Sequence, residues 1–123
     1  MKITGFCPLI VTKDAEAVVK VFEALGFEKR HTKKDIEGGE NTNYTMKDSN
    51  GHRVNIASSE VLPRDLPAIS INVDNFQEAY DFFLARGFVN PRGDKVTETG
   101  SSKATLLFAP SGFAVSISEH IKD

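Results

Sequence analysis

The chain has 123 residues, 40% of them apolar and 26% charged, and its 15 Lys and Arg against 17 Asp and Glu leave a formal charge of −2. That suits one compact domain with a real core and excludes a disordered tail, a disulfide mini-protein and a coiled coil. With no basic block a nucleic-acid partner is not expected, and with one cysteine and no apolar run of membrane-span or signal-peptide length the expectation is a soluble cytoplasmic domain.

Residues Phe6 to Thr12 are apolar and β-branched and predict a buried strand. A helix follows from about Ala15 to Leu25, with Asp14 as its cap and Val18, Phe22 and Leu25 on one stripe. Phe27 to Ile36 is polar and alternating and reads as a strand that Gly38-Gly39 breaks. Asn43 to Lys47 and His52 to Ser58 flank a turn at Asp48-Ser49-Asn50-Gly51, a strong hairpin signal. Glu60 to Pro67, with two prolines and three charges, is the expected linker.

Beyond it, Ile69, Ile71 and Val73 alternate with Ala68, Ser70 and Asn72 as a strand with one wet face. Phe76, Ala79, Tyr80, Phe83 and Leu84 then form a helical stripe behind Asn75, whose spacing to Glu78 resembles a capping box. Pro91-Arg92-Gly93-Asp94 is a turn. Ala104 to Phe108 and Phe113 to Ser118 flank a last turn at Pro110-Ser111-Gly112.

The second half repeats the first. Gly26 and Gly87, each in place for a left-handed helix terminus, lie 61 residues apart, and the hairpin glycines Gly51 and Gly112 keep the same spacing. The prediction is an α+β fold of two tandem strand–helix–strand–strand–strand modules, 1–62 and 67–123, in a single domain spanning 1–123. Each module is a curved mixed sheet with one packed helix, and pairing two of them encloses an open cleft.

On the residues that carry this pattern, the chain resembles the vicinal oxygen chelate superfamily, which includes glyoxalases, extradiol dioxygenases and bleomycin-resistance proteins. The carriers are Pro8-Leu9-Ile10-Val11-Thr12-Lys13-Asp14, Phe22-Glu23-Ala24-Leu25-Gly26-Phe27, Val73-Asp74-Asn75-Phe76, Arg86-Gly87-Phe88 and Pro110-Ser111-Gly112. The Cys7-Pro8 opening before an apolar strand is most similar to bleomycin-resistance-type members. The resemblance implies four strand positions where metalloenzymes of the superfamily carry His or Glu, and here they hold Cys7, Asn55, Ala68 and Ser116. No metal or other cofactor is therefore expected.

Strand parity nominates the neighbours of those positions as cleft lining: Leu9 and Val11, Arg53 and Ala57, Ser70 and Asn72, Ala114 and Ser118, with Tyr44 as a possible aromatic wall. Small polar residues in an open groove facing water are the competing reading. For Cys7, packing outweighs nucleophilic chemistry, since no base lies near it in the sequence. His31, His52 and His120 have no ligand spacing, and Asp35, Glu37 and Glu40 read as a solvated loop. No Gly-rich phosphate loop or nucleophile elbow is present.

The leading expectation is a metal-independent protein that binds a small organic molecule, by resemblance a homodimer that sequesters an antibiotic or metabolite. With no Trp and two Tyr the chain offers bleomycin few stacking surfaces. Two rival readings stand beside it. One is a lyase, isomerase or dioxygenase with displaced ligands such as His31, Cys7 or Asn55. The other is a regulatory module whose groove accepts a peptide. Neither nucleic acid nor membrane is an expected partner.

Overall fold

The computed structural model describes residues 1–34, 42–59, 63–98 and 101–120. Ten elements follow in chain order: β1 (Ile3–Thr12), α1 (Ala15–Ala24), β2 (Glu28–Lys34), β3 (Thr42–Lys47), β4 (Arg53–Ser58), β5 (Leu66–Val73), α2 (Phe76–Leu84), β6 (Thr97–Glu98), β7 (Ser102–Phe108) and β8 (Ala114–His120). The fold is α+β, as the alternating strand and helix signals imply. Among the described residues no helix is long and apolar enough to cross a membrane.

The chain forms two compact units, Cys7–Pro67 and a second made of Ala68–Asp123 with Met1–Phe6. In the first, β1 runs parallel to β4, β4 pairs antiparallel with β3, and β3 with β2. In the second, β5 runs parallel to β8, followed by antiparallel β7 and β6. The registers repeat as well as the topology. Leu9 stands opposite Asn55 and Ser70 opposite Ser116, and both members of the second pair lie 61 residues beyond those of the first (9 to 70, 55 to 116).

The opening residues join the second unit through specific bonds. Asp74 N donates to Lys2 O at 3.0 Å, Lys2 N donates to Asp74 Oδ1 at 2.6 Å, and Gly5 lies against Asn72. β1 therefore begins three residues before the predicted start. The strand predicted over Phe27 to Ile36 is β2 as far as Lys34, and Gly38-Gly39, Asp35, Glu37 and Glu40 lie outside the described residues, as does the start of the expected linker.

Each sheet buries one face under its helix. Ala15 and Val19 of α1 pack on Met46, Val54 and Ile56, with Phe22, Phe27 and Tyr44 around them. In the second unit Phe76 and Ala79 of α2 pack on Ile71, Val73, Leu107, Val115 and Ile117, with Tyr80, Phe83 and Phe88 around them. Asp14 Oδ1 accepts from Ala17 N at 3.1 Å and Asn75 Oδ1 from Glu78 N at 3.0 Å, so both expected caps form. A further free amide of α2, Phe76 N, donates to Glu119 Oε1 of β8 at 2.7 Å. That cap crosses 43 residues of sequence and leaves no local signature.

Thr105 is the exception in the second core. It is 4% exposed, and its Oγ1 is buried with no hydrogen-bond partner among the described residues. A buried hydroxyl without a partner costs about 1–3 kcal/mol. Thr105→Val keeps the branched shape and removes that cost. The expected result is a melting temperature higher by about 3–5 °C, corresponding to about 1 kcal/mol at this chain length. A lower melting temperature in a calorimetric scan would show that the hydroxyl is satisfied.

Candidate functional site

The pleat sends alternate residues to opposite faces, so the cores identify the other face of each sheet. In the first unit Met46, Val54 and Ile56 point to α1. Cys7, Leu9 and Val11 of β1, Arg53, Asn55 and Ala57 of β4, and Asn43, Thr45 and Lys47 of β3 therefore share the face away from it. Leu9, Asn55 and Thr45 stand level in one row, and Val11, Ala57 and Asn43 in the next.

This face is not simply wet. Cys7, Leu9 and Val11 are only 9%, 8% and 8% exposed although they lie outside the cluster under α1. Asn55 is half-buried with its Oδ1 shielded from solvent, whereas Arg53 is exposed. Cys7 forms no disulfide and is buried.

In the second unit the matching face carries Ala68, Ser70 and Asn72 of β5, Ala114, Ser116 and Ser118 of β8, and Ala104, Leu106 and Phe108 of β7. Ser70, Ser116 and Leu106 form one row, Asn72, Ser118 and Ala104 the next, and Ala68, Ala114 and Phe108 the third. Ser70 and Ala114 are buried; Ser116 and Ser118 are half-buried. Ser118 Oγ donates to Asn72 Oδ1 at 2.5 Å, which orients the Asn72 amide. Asn72 Nδ2 then occupies space that Gly5 leaves open: a Cβ there would stand 2.8 Å from it. The nine side chains named on this face are all uncharged.

Of the thirteen residues named from sequence at or beside the four positions, twelve thus fall on the two faces away from the helices. Tyr44 does not. It stands opposite Ile56, a residue with no exposure, and packs with the cluster under α1. There it borders a shallow groove of about 210 Å³ with Glu16, Lys20, Glu23 and Lys29, and Lys29 Nζ lies 5.6 Å from its ring centroid. The tight turn after Lys47 sets the parity: Asp48 N donates to His52 O, so Lys47 pairs with Arg53, Thr45 with Asn55, and Tyr44 must point the other way. Turn length was the signal that could have shown this, and the same signal places Lys47, not nominated from sequence, beside Arg53.

The histidines stand apart from these rows. The backbone of His31 pairs with Thr45, while its side chain lies outside the described residues. His52 is exposed, its Nδ1 2.9 Å from Asp48 Oδ2. That bond, with backbone donors from His52 and Asn50, holds the Asp48 carboxyl below its usual range. His120 Nδ1 lies 3.3 Å from Ser101 O at the end of β8.

No three His, Cys, Asp or Glu among the described residues gather as a metal ion would require. The four positions inferred from resemblance offer a buried thiol, an amide, a methyl group and a hydroxyl. That donor set does not fit a divalent catalytic ion, which takes three or more imidazole, carboxylate or thiolate ligands.

No protein-family model matches the chain, and no curated protein matches it in sequence. Solved structures do. Glyoxalase I from Zea mays superposes on 96% of this chain with a TM-score of 0.67 at 15% identity, and the chain spans 43% of its length. Methylmalonyl-CoA epimerase from Streptomyces coelicolor, solved with 2-nitronate-propionyl-CoA, covers 98% of the chain and is itself covered over 99%, with a TM-score of 0.63 at 18% identity. A glyoxalase/bleomycin resistance protein/dioxygenase superfamily member from Vibrio splendidus 12B01 gives a TM-score of 0.60 at 14% identity, over 96% of this chain and 99% of its own. These likenesses show the vicinal oxygen chelate fold.

Proposed function

We propose that this chain is a metal-independent small-molecule-binding protein on the glyoxalase/bleomycin resistance scaffold. The observation that carries the reading is the chemistry of the two faces away from the helices. They set buried apolar groups (Leu9, Val11, Ala114) among neutral hydrogen-bonding groups (Asn55, Ser70, Asn72, Ser116). A few placed polar groups on an apolar lining is the usual composition of a site for an organic ligand. The superfamily's metalloenzymes need His or Glu where this chain has Cys7, Asn55, Ala68 and Ser116.

In this reading the faces bind and hold. Apolar surface supplies most of the affinity, and the amide and hydroxyl groups orient the ligand and reject shapes that leave them unpaired. No bond in the ligand is broken; free ligand falls by mass action. The chain works as a homodimer and removes an antibiotic or metabolite from solution.

The test is a metal assay paired with a thermal-shift screen of small organic compounds on the untreated protein. Expected are metal far below one ion per chain, a melting curve unmoved by chelator, and compounds that raise the melting temperature equally with and without chelator. A compound at a hundredfold excess over its Kd adds about 2.7 kcal/mol of stability, which such a scan resolves. A stoichiometric divalent ion whose removal lowers the melting temperature or abolishes the ligand response would overturn the proposal in favour of a metal-dependent enzyme.

A further inference from the structure

On the face away from α1, Lys47 of β3 and Arg53 of β4 stand directly opposite each other, one rung beyond Thr45 and Asn55. Like charges at such a position are destabilising, because the Cβ atoms of opposed residues lie only ~4.5–5.5 Å apart. Neither cation makes an ion pair among the described residues. The acid in the connecting turn, Asp48, is occupied instead by the His52 ring and by the amides of His52 and Asn50. Glu28 of β2 stands opposite Lys47 on its other side and offsets part of that cost, but its ion pair is with Arg30 at 3.8 Å, so the acid is shared with a third cation.

The duplication supplies an internal control. The corresponding rung of the second unit is Phe108 opposite Ala114, each 61 residues further on (47 to 108, 53 to 114). The scaffold therefore builds this rung from an aromatic ring and a methyl group without charge. Two opposed cations at this rung, neither in an ion pair among the described residues, distinguish the first unit from the second.

We propose that the Lys47–Arg53 rung is an anion subsite that takes the carboxylate or phosphate group of the organic ligand, whose remaining part lies along Asn55 and the apolar row of β1. This deepens the binding function proposed above and rests on it for the identity of the ligand's organic part. A guanidinium meets either oxyanion through two parallel hydrogen bonds, and the lysine adds a mobile point charge. An anion between them also screens the two cations from each other.

The experiment is a titration of the ¹⁵N-labelled full chain at constant ionic strength, with inorganic phosphate in one arm and acetate in the other. Saturable shifts are expected at the amides of Lys47, Arg53 and Asn55. Saturation by phosphate alone assigns a phosphate-bearing ligand, and saturation by acetate assigns a carboxylate. The double variant Lys47→Gln/Arg53→Gln is expected to weaken the response at least tenfold with its remaining spectrum unchanged. Lys47→Arg retains the response, as does Lys20→Gln on the other face. Absence of saturation in both arms, or an undiminished response in the double variant, would overturn the subsite. Metal content is measured on the same sample: a stoichiometric ion with an intact phosphate or acetate response would sink metal independence and leave the subsite standing.

Discussion

Phe76→Ala is expected to lower stability by about 3–5 kcal/mol, the range for deleting a fully buried aromatic side chain whose cavity cannot collapse. Phe76 is 2% exposed and belongs to the second unit's core; its ring stacks on Tyr80 at 5.8 Å, and Lys103 Nζ lies 5.7 Å from its centroid. The ring sits at the first residue of α2, where its own amide is held by Glu119, so the backbone has little freedom to close the void. Against a total stability of about 5–15 kcal/mol the loss is a large fraction. It corresponds to a melting temperature lower by about 10–20 °C at this chain length. Chemical denaturation should show a shifted midpoint with an unchanged slope. A cost below about 1 kcal/mol would mean that neighbouring side chains refill the space.

The first unit shows why that position can be small. Its counterpart, at the same place on α1, is Ala15. The strand residue that corresponds to Thr105 is Tyr44, and it packs into the same cluster as Ala15. One core thus joins a large helix residue to a small strand residue, and the other reverses the assignment. The reversal agrees with Tyr44 pointing to the helix and not to the opposite face of the sheet.

Much of this organisation was legible in the chain because it depends on local pattern. The apolar stripes, the capping residues Asp14 and Asn75, and the repeated glycine spacing fix two helices and their order. Parity from Asn55 and Ser116 then groups the residues of each strand face together, since the side-chain period of a strand is two. What escaped depends on contacts distant in sequence or on exact register. The short β6 has no apolar alternation to announce it. The capture of Met1–Phe6 by the second unit rests on Lys2 and Asp74, 72 residues apart. Glu119 capping α2 is of the same kind. The facing of Tyr44 and Lys47 follows from the hairpin register, in which a single residue decides which face a side chain joins. The proposed function is less legible than the faces, because small neutral side chains suit an organic molecule and an open groove almost equally well; the Lys47–Arg53 rung departs from that pattern.

The two helix termini offer a matched pair of substitutions in which the backbone cost is shared and the packing cost is not. Both helices end in the same motif: Phe27 N donates to Phe22 O and Phe88 N to Phe83 O, and each phenylalanine pair meets edge to face at 5.4 Å and 4.9 Å. Gly26 and Gly87 adopt left-handed φ values of 105° and 92°, which cost an L-residue about 1–2 kcal/mol. Around Gly26 a new Cβ meets nothing within 4 Å, whereas at Gly87 it stands 3.0 Å from Pro110 Cγ. Pro110 has little room to retreat, because its turn is pinned by Gly112 N donating to Ala109 O and Ala109 N donating to Phe113 O. Gly26→Ala should therefore cost about 1–2 kcal/mol, and Gly87→Ala a further ~1–2 kcal/mol from overpacking. Denaturant titration of the two variants measures the difference directly. Adding Pro110→Ala separates its origin. If the clash is the cause, the double variant recovers about 1 kcal/mol relative to the sum of its single changes, since only residues in contact depart from additivity by that much. Equal costs at Gly26 and Gly87, or strict additivity with Pro110→Ala, would place the whole penalty in the backbone and show that the turn yields to the methyl group.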